Sequence, residues 1–399
     1  MTDSTGRSLP LLLLAAILLL IATLVRVYRG GTTLNDHAVA AVVSGCLAIY
    51  PLLWWGGGQG PVLTAGAGAG MVCIYGIFHI LDQRREPGRI GRWVGTLSQP
   101  AYAFSLWTGL LLVFWIPAAI LLGHPPLWPG WRLLLPAGLA TWGTIWTYLR
   151  RDHLVTHHLP GPGLRIAHLS DIHVSPLMTR VDMLRLVSIV ETQSPDLVVV
   201  TGDLVMPFSE TSHGFLIETL AMFSAPVLCC MGNHDLPIAE TLKTELEAAG
   251  IRMLVNERAV LTVRGLTVEV VGLDFVWQWA WERSLAALGV LGEVSADYRI
   301  LLAHDPRYFK FIPTDRFELV LSGHTHGGQV GTNMFGVPWS VLRPMGVYDQ
   351  GFFQRDDCRL FVHKGSWHTG LPPRMGIASE VVVLQCGTTS TPSPIVAPA

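Results

Sequence analysis

Phe317–Val330 reads FELVLSGHTHGGQV. Its first five residues form a short apolar, β-rich run, the pattern of a strand buried on both faces. The run ends in two histidines, His324 and His326, with Gly327 and Gly328 directly behind. A buried strand that delivers two imidazoles to its carboxyl end, followed by glycines that let backbone approach closely, has the makings of a ligand site. The i, i+2 spacing implies that both side chains leave an extended segment on the same side and can reach two adjacent metal ions.

The same grammar recurs upstream. LRIAHLS ends in Asp171-Ile-His173, DLVVVTG in Asp203, PVLCCMG in Asn233-His234-Asp235, and RILLA in His304-Asp305. One Asp or Asn after a strand is an ordinary turn former. Five strand ends that all carry Asp, Asn or His are hard to assign to turns. Imidazole, carboxylate and amide oxygen without thiolate suit Mn, Fe, Zn or Mg rather than soft ions. Asp171, His173, Asp203, Asn233, His304, His324 and His326 make a candidate set for two divalent metal ions. With Asp203 shared, each ion receives four protein ligands. Two ions about 3.5–4 Å apart clamp the attacking and leaving oxygens of a phosphoryl transfer.

Helical patterns at Thr179–Gln193 and Leu236–Gly250 separate some of these strands, which argues an α/β layered domain. The later runs AVLTV, TVEVVGL, RLFVH and EVVVLQC follow without helices between them. They predict mixed sheets, two of them packed face to face and flanked by helices.

The chain changes character near its middle. Residues 1–149 hold 12 of the 56 charged side chains, and none of these is a lysine. A bilayer-crossing helix needs about 20 apolar residues. The charge-free gaps predict five spans near 9–25, 37–55, 61–81, 101–122 and 133–149. A cleaved signal peptide is the rival reading of the first, but no small-x-small cleavage site follows it. Arg26, Arg29, Arg84, Arg85, Arg89, Arg92, Arg150 and Arg151 then fall on one side, against Arg7 and Arg132 on the other. By the positive-inside rule the first side is the cytoplasm, and it carries the α/β domain. The expected organisation is a transmembrane helical anchor at 1–150, a linker at 151–162, the α/β domain at 163–386 and a disordered tail at 387–399. The expected location is a membrane, with the α/β domain on its cytoplasmic side.

The six cysteines form no CxxC pair, so neither a disulfide framework nor a structural zinc site is indicated. Residues 150–399 carry 19 basic and 25 acidic side chains. That balance lacks the positive field a nucleic-acid partner requires. His153, His157 and His158 read as a solvated or membrane-interface segment, and Glu380 as structural. His368 and Arg374 lie in a Gly/Pro-rich loop where substrate contact is open.

In order, DIH, GD, GNHD, the lone histidine of AHDP, and GHTH resemble the signature of the calcineurin-like metallophosphoesterase superfamily over about residues 163–386. The SGHTHGGQV form, with apolar segments in front and PPRMG…SEVVVL behind, is similar to its membrane-attached bacterial phosphodiesterase branch. Some relatives in that branch hydrolyse the pyrophosphate of UDP-diacylglucosamine. The resemblance implies one ion on Asp171, His173, Asp203 and His326, and another on Asp203, Asn233, His304 and His324. It implies a non-ligand catalytic role for His234 at the phosphate or leaving oxygen, with Asp235 orienting the His234 ring. It further implies hydrolysis of a phosphodiester or pyrophosphate, here of a lipid-linked substrate, by a metal-bound water or hydroxide. GDLVMPFSE lacks the Asp-Arg pair that the superfamily's protein phosphatases carry after GD, which argues against that activity. A general nucleotide phosphodiesterase and a non-enzymatic metal-dependent sensing module are the competing readings.

Overall fold

The computed structural model describes Gly138, Trp142, Gly143 and residues 153–174, 178–206, 213–277, 281–292, 295–332, 338–367 and 374–387. Apart from those first three residues, which are helical, the five expected spans lie outside the described residues. The expected tail lies outside them from residue 388 onward. Among the described residues no helix is long and apolar enough to cross a membrane.

Two six-stranded mixed sheets carry the fold. The first comprises β1 (His153–Leu159), β2 (Leu164–Leu169), β3 (Leu197–Thr201), β4 (Val227–Cys230), β5 (Arg252–Leu254) and β14 (Glu380–Cys386), in the order β1-β14-β2-β3-β4-β5. β2 to β5 are parallel, and β14 runs antiparallel to β2. The second comprises β6 (Glu257–Val263), β7 (Leu266–Gly272), β8 (Tyr298–Leu302), β9 (Leu319–Ser322), β12 (Gly351–Arg355) and β13 (Cys358–Val362), in the order β12-β13-β9-β8-β7-β6. A small ladder, β10 (Gly331–Thr332) with β11 (Trp339–Ser340), follows the glycines of the HTH segment.

Segment 151–162, expected as a linker, instead contributes β1, which pairs in parallel with the whole of β14 from His153↔Glu380 to Leu159↔Cys386. Leu154, Val155 and Thr156 supply the β-branched and apolar side chains that suit a half-buried edge. The His157 ring packs 5.1 Å from Phe352 and 5.2 Å from Phe361 rather than standing in solvent.

The sheets face each other across a dry core. Ile166, Val199, Leu228, Val382 and Leu384 of the first meet Val268, Val270, Ile300, Leu302, Leu321 and Phe361 of the second. Helices α1 (Arg180–Glu191), α2 (His213–Leu220) and α3 (Ala239–Ala248) cross over between β2, β3, β4 and β5 and cover the outer face of the first sheet. Helix α4 (Trp281–Leu291) and the 3-10 turn Pro306–Lys310 cover the second. Coverage on both faces explains why β3 reads as the unbroken apolar run LVVVT, buried throughout.

Local chemistry sets the helix ends. Thr179 caps α1 in a reciprocal capping box with Asp182, so the expected helix begins one residue after its threonine. Pro237 confines the first turn of the expected 236–250 helix to a 3-10 turn, Leu236–Ile238. Gly250, at φ 82°, closes α3: its amide bonds the Glu247 carbonyl and that of Ile251 bonds Leu246, a Schellman closure.

Candidate metal centre

The parallel strands β2, β3, β4, β8 and β9 all release their chains at one end of the layered sheets, and the chemistry gathers there. The backbone turns at the site itself. Asp171 (φ 51°), His173 (47°), Asp203 (52°), His324 (71°) and His326 (50°) all lie in the left-handed region. The expectation that DIH and HTH are extended, with both side chains on one side, is therefore corrected. Each residue is wound back toward the strand end, a conformation costing on the order of 1–3 kcal/mol per residue. Gly232 makes room for this winding: a Cβ there would overlap the Asp203 carboxylate and amide.

Two groups result, sharing Asp203. In the first, Asp171 Oδ1 lies 3.2 Å from His326 Nε2 and 3.9 Å from His173 Nε2, and the two imidazole nitrogens are 3.1 Å apart. In the second, Asn233 Oδ1 lies 2.9 Å from His324 Nδ1 and 3.2 Å from His304 Nε2. Asp203 Oδ2 stands between them, 3.5 Å from His173 Nε2 and 3.3 Å from His304 Nε2. Ligand atoms of Asp171, His173 and His326, and of Asp203, His304 and His324, fall within 4.8 Å of one another in each set. All seven sequence-derived candidates come together.

The electrostatics fit a cation pair. Burial raises Asp171 to about 7, with Asp203 adding to the rise against the opposing effect of His304. For Asp203 burial acts upward, but the imidazoles of His304 and His234 hold it well below the usual carboxylate range. Burial works to lower His304, yet Asp203 beside it lifts the ring to about 10. A buried carboxylate facing imidazole nitrogens on both sides marks a place that favours positive charge. Oxygen and imidazole donors converging there match divalent ions of the borderline-to-hard kind.

His234 sits on the open side. Its side chain is 26% exposed, its ring stands edge-on to His173 at 4.7 Å, and Nε2 lies 4.0 Å from Asp203 Oδ2. Asp235 does not orient that ring, which corrects the expected role. Its buried carboxylate accepts from Leu204 N (2.9 Å), Val205 N (3.2 Å) and Gly232 N (2.9 Å), and so ties the loop after β3 to the loop after β4. Only the Gly232 donor is local; the other two come from the loop after β3, so the packing of the two loops sets the role. His234 Nδ1 has no hydrogen-bond partner among the described residues.

Arg374 is buried beside His326. It is 1% exposed and donates to the carbonyls of Trp367 (2.8 Å) and His326 (3.4 Å). His368 lies outside the described residues. Glu380 receives the Lys364 backbone amide and its ammonium, as expected of a structural residue. Phe275, not singled out from the sequence, lies with its ring 5.8 Å from His304 and 5.9 Å from His324. Only its place one residue after the acid that follows β7 could have marked it.

Residues 164–328 match the family model of the calcineurin-like phosphoesterases. A metallophosphoesterase of Bacillus subtilis, YkuE, is 30% identical over 249 residues, covering 60% of this chain and 84% of its own. The phosphodiesterase YaeI of Escherichia coli is 27% identical over 203 residues, covering 49% and 73%. A transmembrane protein with metallophosphoesterase domain from Danio rerio is 29% identical over 249 residues, covering 55% and 52%. Fold, site and likeness agree: the chain belongs to the calcineurin-like metallophosphoesterases and is a metal-dependent phosphohydrolase that uses divalent ions.

Proposed function

We propose that this hydrolase is anchored in a membrane by residues 1–149 and cleaves a phosphodiester or pyrophosphate bond in a lipid-linked substrate such as UDP-diacylglucosamine. The observation that carries the reading is the pairing of one convergent metal centre with 149 residues holding only 12 charges. An anchor raises the local concentration of a bilayer-resident substrate around the site. The relative named as a transmembrane protein and the one named as a phosphodiesterase are in keeping with it. The arginine asymmetry favours the cytoplasmic side of a bacterial inner membrane for the catalytic domain. Alkaline phosphatase and green fluorescent protein fused after residue 399 test that side; phosphatase activity without fluorescence would reverse it.

In this reading Asp171, His173 and His326 hold one ion, Asn233, His304 and His324 the other, and Asp203 both. The ion pair, when bound, lowers the pKa of water and polarises the phosphoryl oxygens. The chain's own residues do the rest. His304 donates from Nδ1 to the Thr201 carbonyl (2.6 Å), which leaves Nε2 facing Asp203. Burial lowers the His234 pKa against the pull of Asp203, so at neutral pH its imidazole is uncharged. It offers an N–H to the oxygen on which charge develops. Phe275 packs its apolar ring beside His304 and His324.

The test is turnover by the full chain in detergent, stripped of metal and then given Mn²⁺, Mg²⁺ or Zn²⁺. Bis-p-nitrophenyl phosphate, p-nitrophenyl phosphate and UDP-diacylglucosamine are compared side by side. Preference for the lipid nucleotide is expected. Preference for the simple diester would make the protein a general phosphodiesterase instead.

A further inference from the structure

Asp171 uses its two oxygens differently. Oδ1 faces His326 and His173, whereas Oδ2 accepts the Ser170 hydroxyl at 2.6 Å on the far side. The His324 amide lies 3.1 Å from both. Behind Ser170 stands a file of buried polar groups. Thr201 Oγ1 donates to Ser170 Oγ at 2.8 Å, and His168 Nε2 lies 2.8 Å from Thr201 Oγ1. His168, Ser170, Asp171 and Thr201 are all fully buried.

Proton counting gives the file a direction. The Thr201 hydroxyl has one hydrogen, committed to Ser170, so toward His168 it accepts. His168 therefore carries its proton on Nε2. Nδ1 is left bare and has no hydrogen-bond partner among the described residues. Burial, with His363 4.8 Å away, keeps the ring neutral. The order is His168 N–H to Thr201 O–H to Ser170 O–H to Asp171 Oδ2, each link polarising the next. The fold reserves space for it: a Cβ on Gly323 would overlap both Ser170 Oγ and Asp171 Oδ2.

We propose that His168, Thr201 and Ser170 form a hydrogen-bond relay that positions Asp171, presenting Oδ1 to one of the two ions and fixing Oδ2 behind it. The inference rests on the metal-site reading above. The terminal torsion of an aspartate is broad and roughly two-fold, so a lone Asp171 is free to rotate or to grip an ion with both oxygens. The relay removes that freedom. The three are positioning residues, because none of them reaches the ions. Partners of this kind are worth about 10–100-fold in metal affinity.

The experiment titrates Mn²⁺ into the metal-stripped full chain in detergent by calorimetry, with circular dichroism confirming the fold of each variant. Wild type is expected to take up two ions in two steps, and Asp171→Asn to lose one. Thr201→Val is expected to weaken that same step about 10–100-fold and leave the other unchanged. Thr201→Ser, which keeps the hydroxyl, is expected to restore it. Ser170→Ala cuts only the last link and covers the case in which Thr201→Val fails to fold. Unchanged steps in folded Thr201→Val and Ser170→Ala overturn the relay while the metal site stands. Equal weakening of both steps also overturns it, as a general loss of structure. Fewer than two ions on wild type overturns the site reading and the relay with it.

Discussion

The two halves of the metal centre are built on different supports. In the second half His304 is fixed by backbone: its Nδ1 donates to the Thr201 carbonyl at the end of β3, a group that no side-chain change removes. In the first half His173 Nδ1 has no hydrogen-bond partner among the described residues, and His326 Nδ1 faces Arg374 Nη2 at 3.3 Å, a donor rather than an acceptor. The first half relies instead on its carboxylate, which accepts from the Ser170 hydroxyl as well as from the His324 amide. His304 Nδ1 is thus held by backbone alone, whereas Asp171 depends in part on a side chain that substitution can remove.

Asp203 is the point at which the division stops, since Oδ2 faces His173 and His304 alike. Asp203→Asn is expected to lower both metal uptake and kcat, the latter by about 10³-fold, given the several kcal/mol that a metal contributes to transition-state charge. Metal per chain by emission spectroscopy, read beside turnover, checks it. Loss of one ion alone would show that the halves do not share this carboxylate.

Asp235 serves both halves from outside, by tying the loop that carries Asp203 to the loop that carries Asn233. Asp235→Ala leaves three backbone amides without their acceptor. The expected loss is about 3 kcal/mol of unfolding free energy, from three hydrogen bonds worth about 1 kcal/mol each. Urea denaturation of the full chain in detergent measures it. A stable variant that loses only kcat would return Asp235 to the ring-orienting role it was expected to have.

The next effect is smaller and separates the halves directly. Chelation of the loaded protein should release two ions in two steps about 10–100-fold apart in affinity, the factor attached to an imidazole's outer hydrogen-bond partner. The weaker step is assigned to the first half. Asp171→Asn should abolish that step and Asn233→Ala the tighter one. The reverse assignment would mean that the relay behind Asp171 outweighs the backbone anchor of His304.

Much of this was legible in the sequence, for reasons that can be named. Strands buried on both faces give unbroken apolar runs, so β2, β3, β4, β8 and β9 announced themselves, and the Asp, Asn and His at their ends stood out. Thr179 and Gly250 marked their helix ends because capping is local chemistry. Four things were not legible. The left-handed turns at Asp171, His173, His324 and His326 depend on what the strand ends pack against, whereas residue spacing assumes an extended chain. The partner of Asp235 depended on which donors the folded loops bring nearest. β1 was hidden because HLVTHHL alternates poorly, and it becomes a strand only when β14, more than 200 residues later, offers an edge. Ser170 and Thr201 looked like ordinary strand-end residues, and only their distance in space gives them a role.

The smallest predicted effect concerns what lies behind the first half. His363 is fully buried, stands 4.8 Å from His168, and its Nδ1 accepts from the Gly365 amide at 2.8 Å. Burial, reinforced by Lys364 and Arg374, holds its pKa well below the ordinary value. In the unfolded chain the ring titrates near about 6.5. Above that pH neither state binds the proton, and the contribution to stability is complete. As pH falls below it, the unfolded state gains a proton that the folded state refuses, so stability drops by about 1.4 kcal/mol per pH unit. His363→Phe removes this titration while keeping an apolar ring. Unfolding free energies at pH 6.5 and 5.5, measured with metal chelated in both proteins, should fall less steeply in the variant by about 1 kcal/mol, since the unfolded ring is already half protonated at pH 6.5. Parallel slopes would mean that the folded ring takes up a proton after all, and that the ground behind Asp171 is as adjustable as its front.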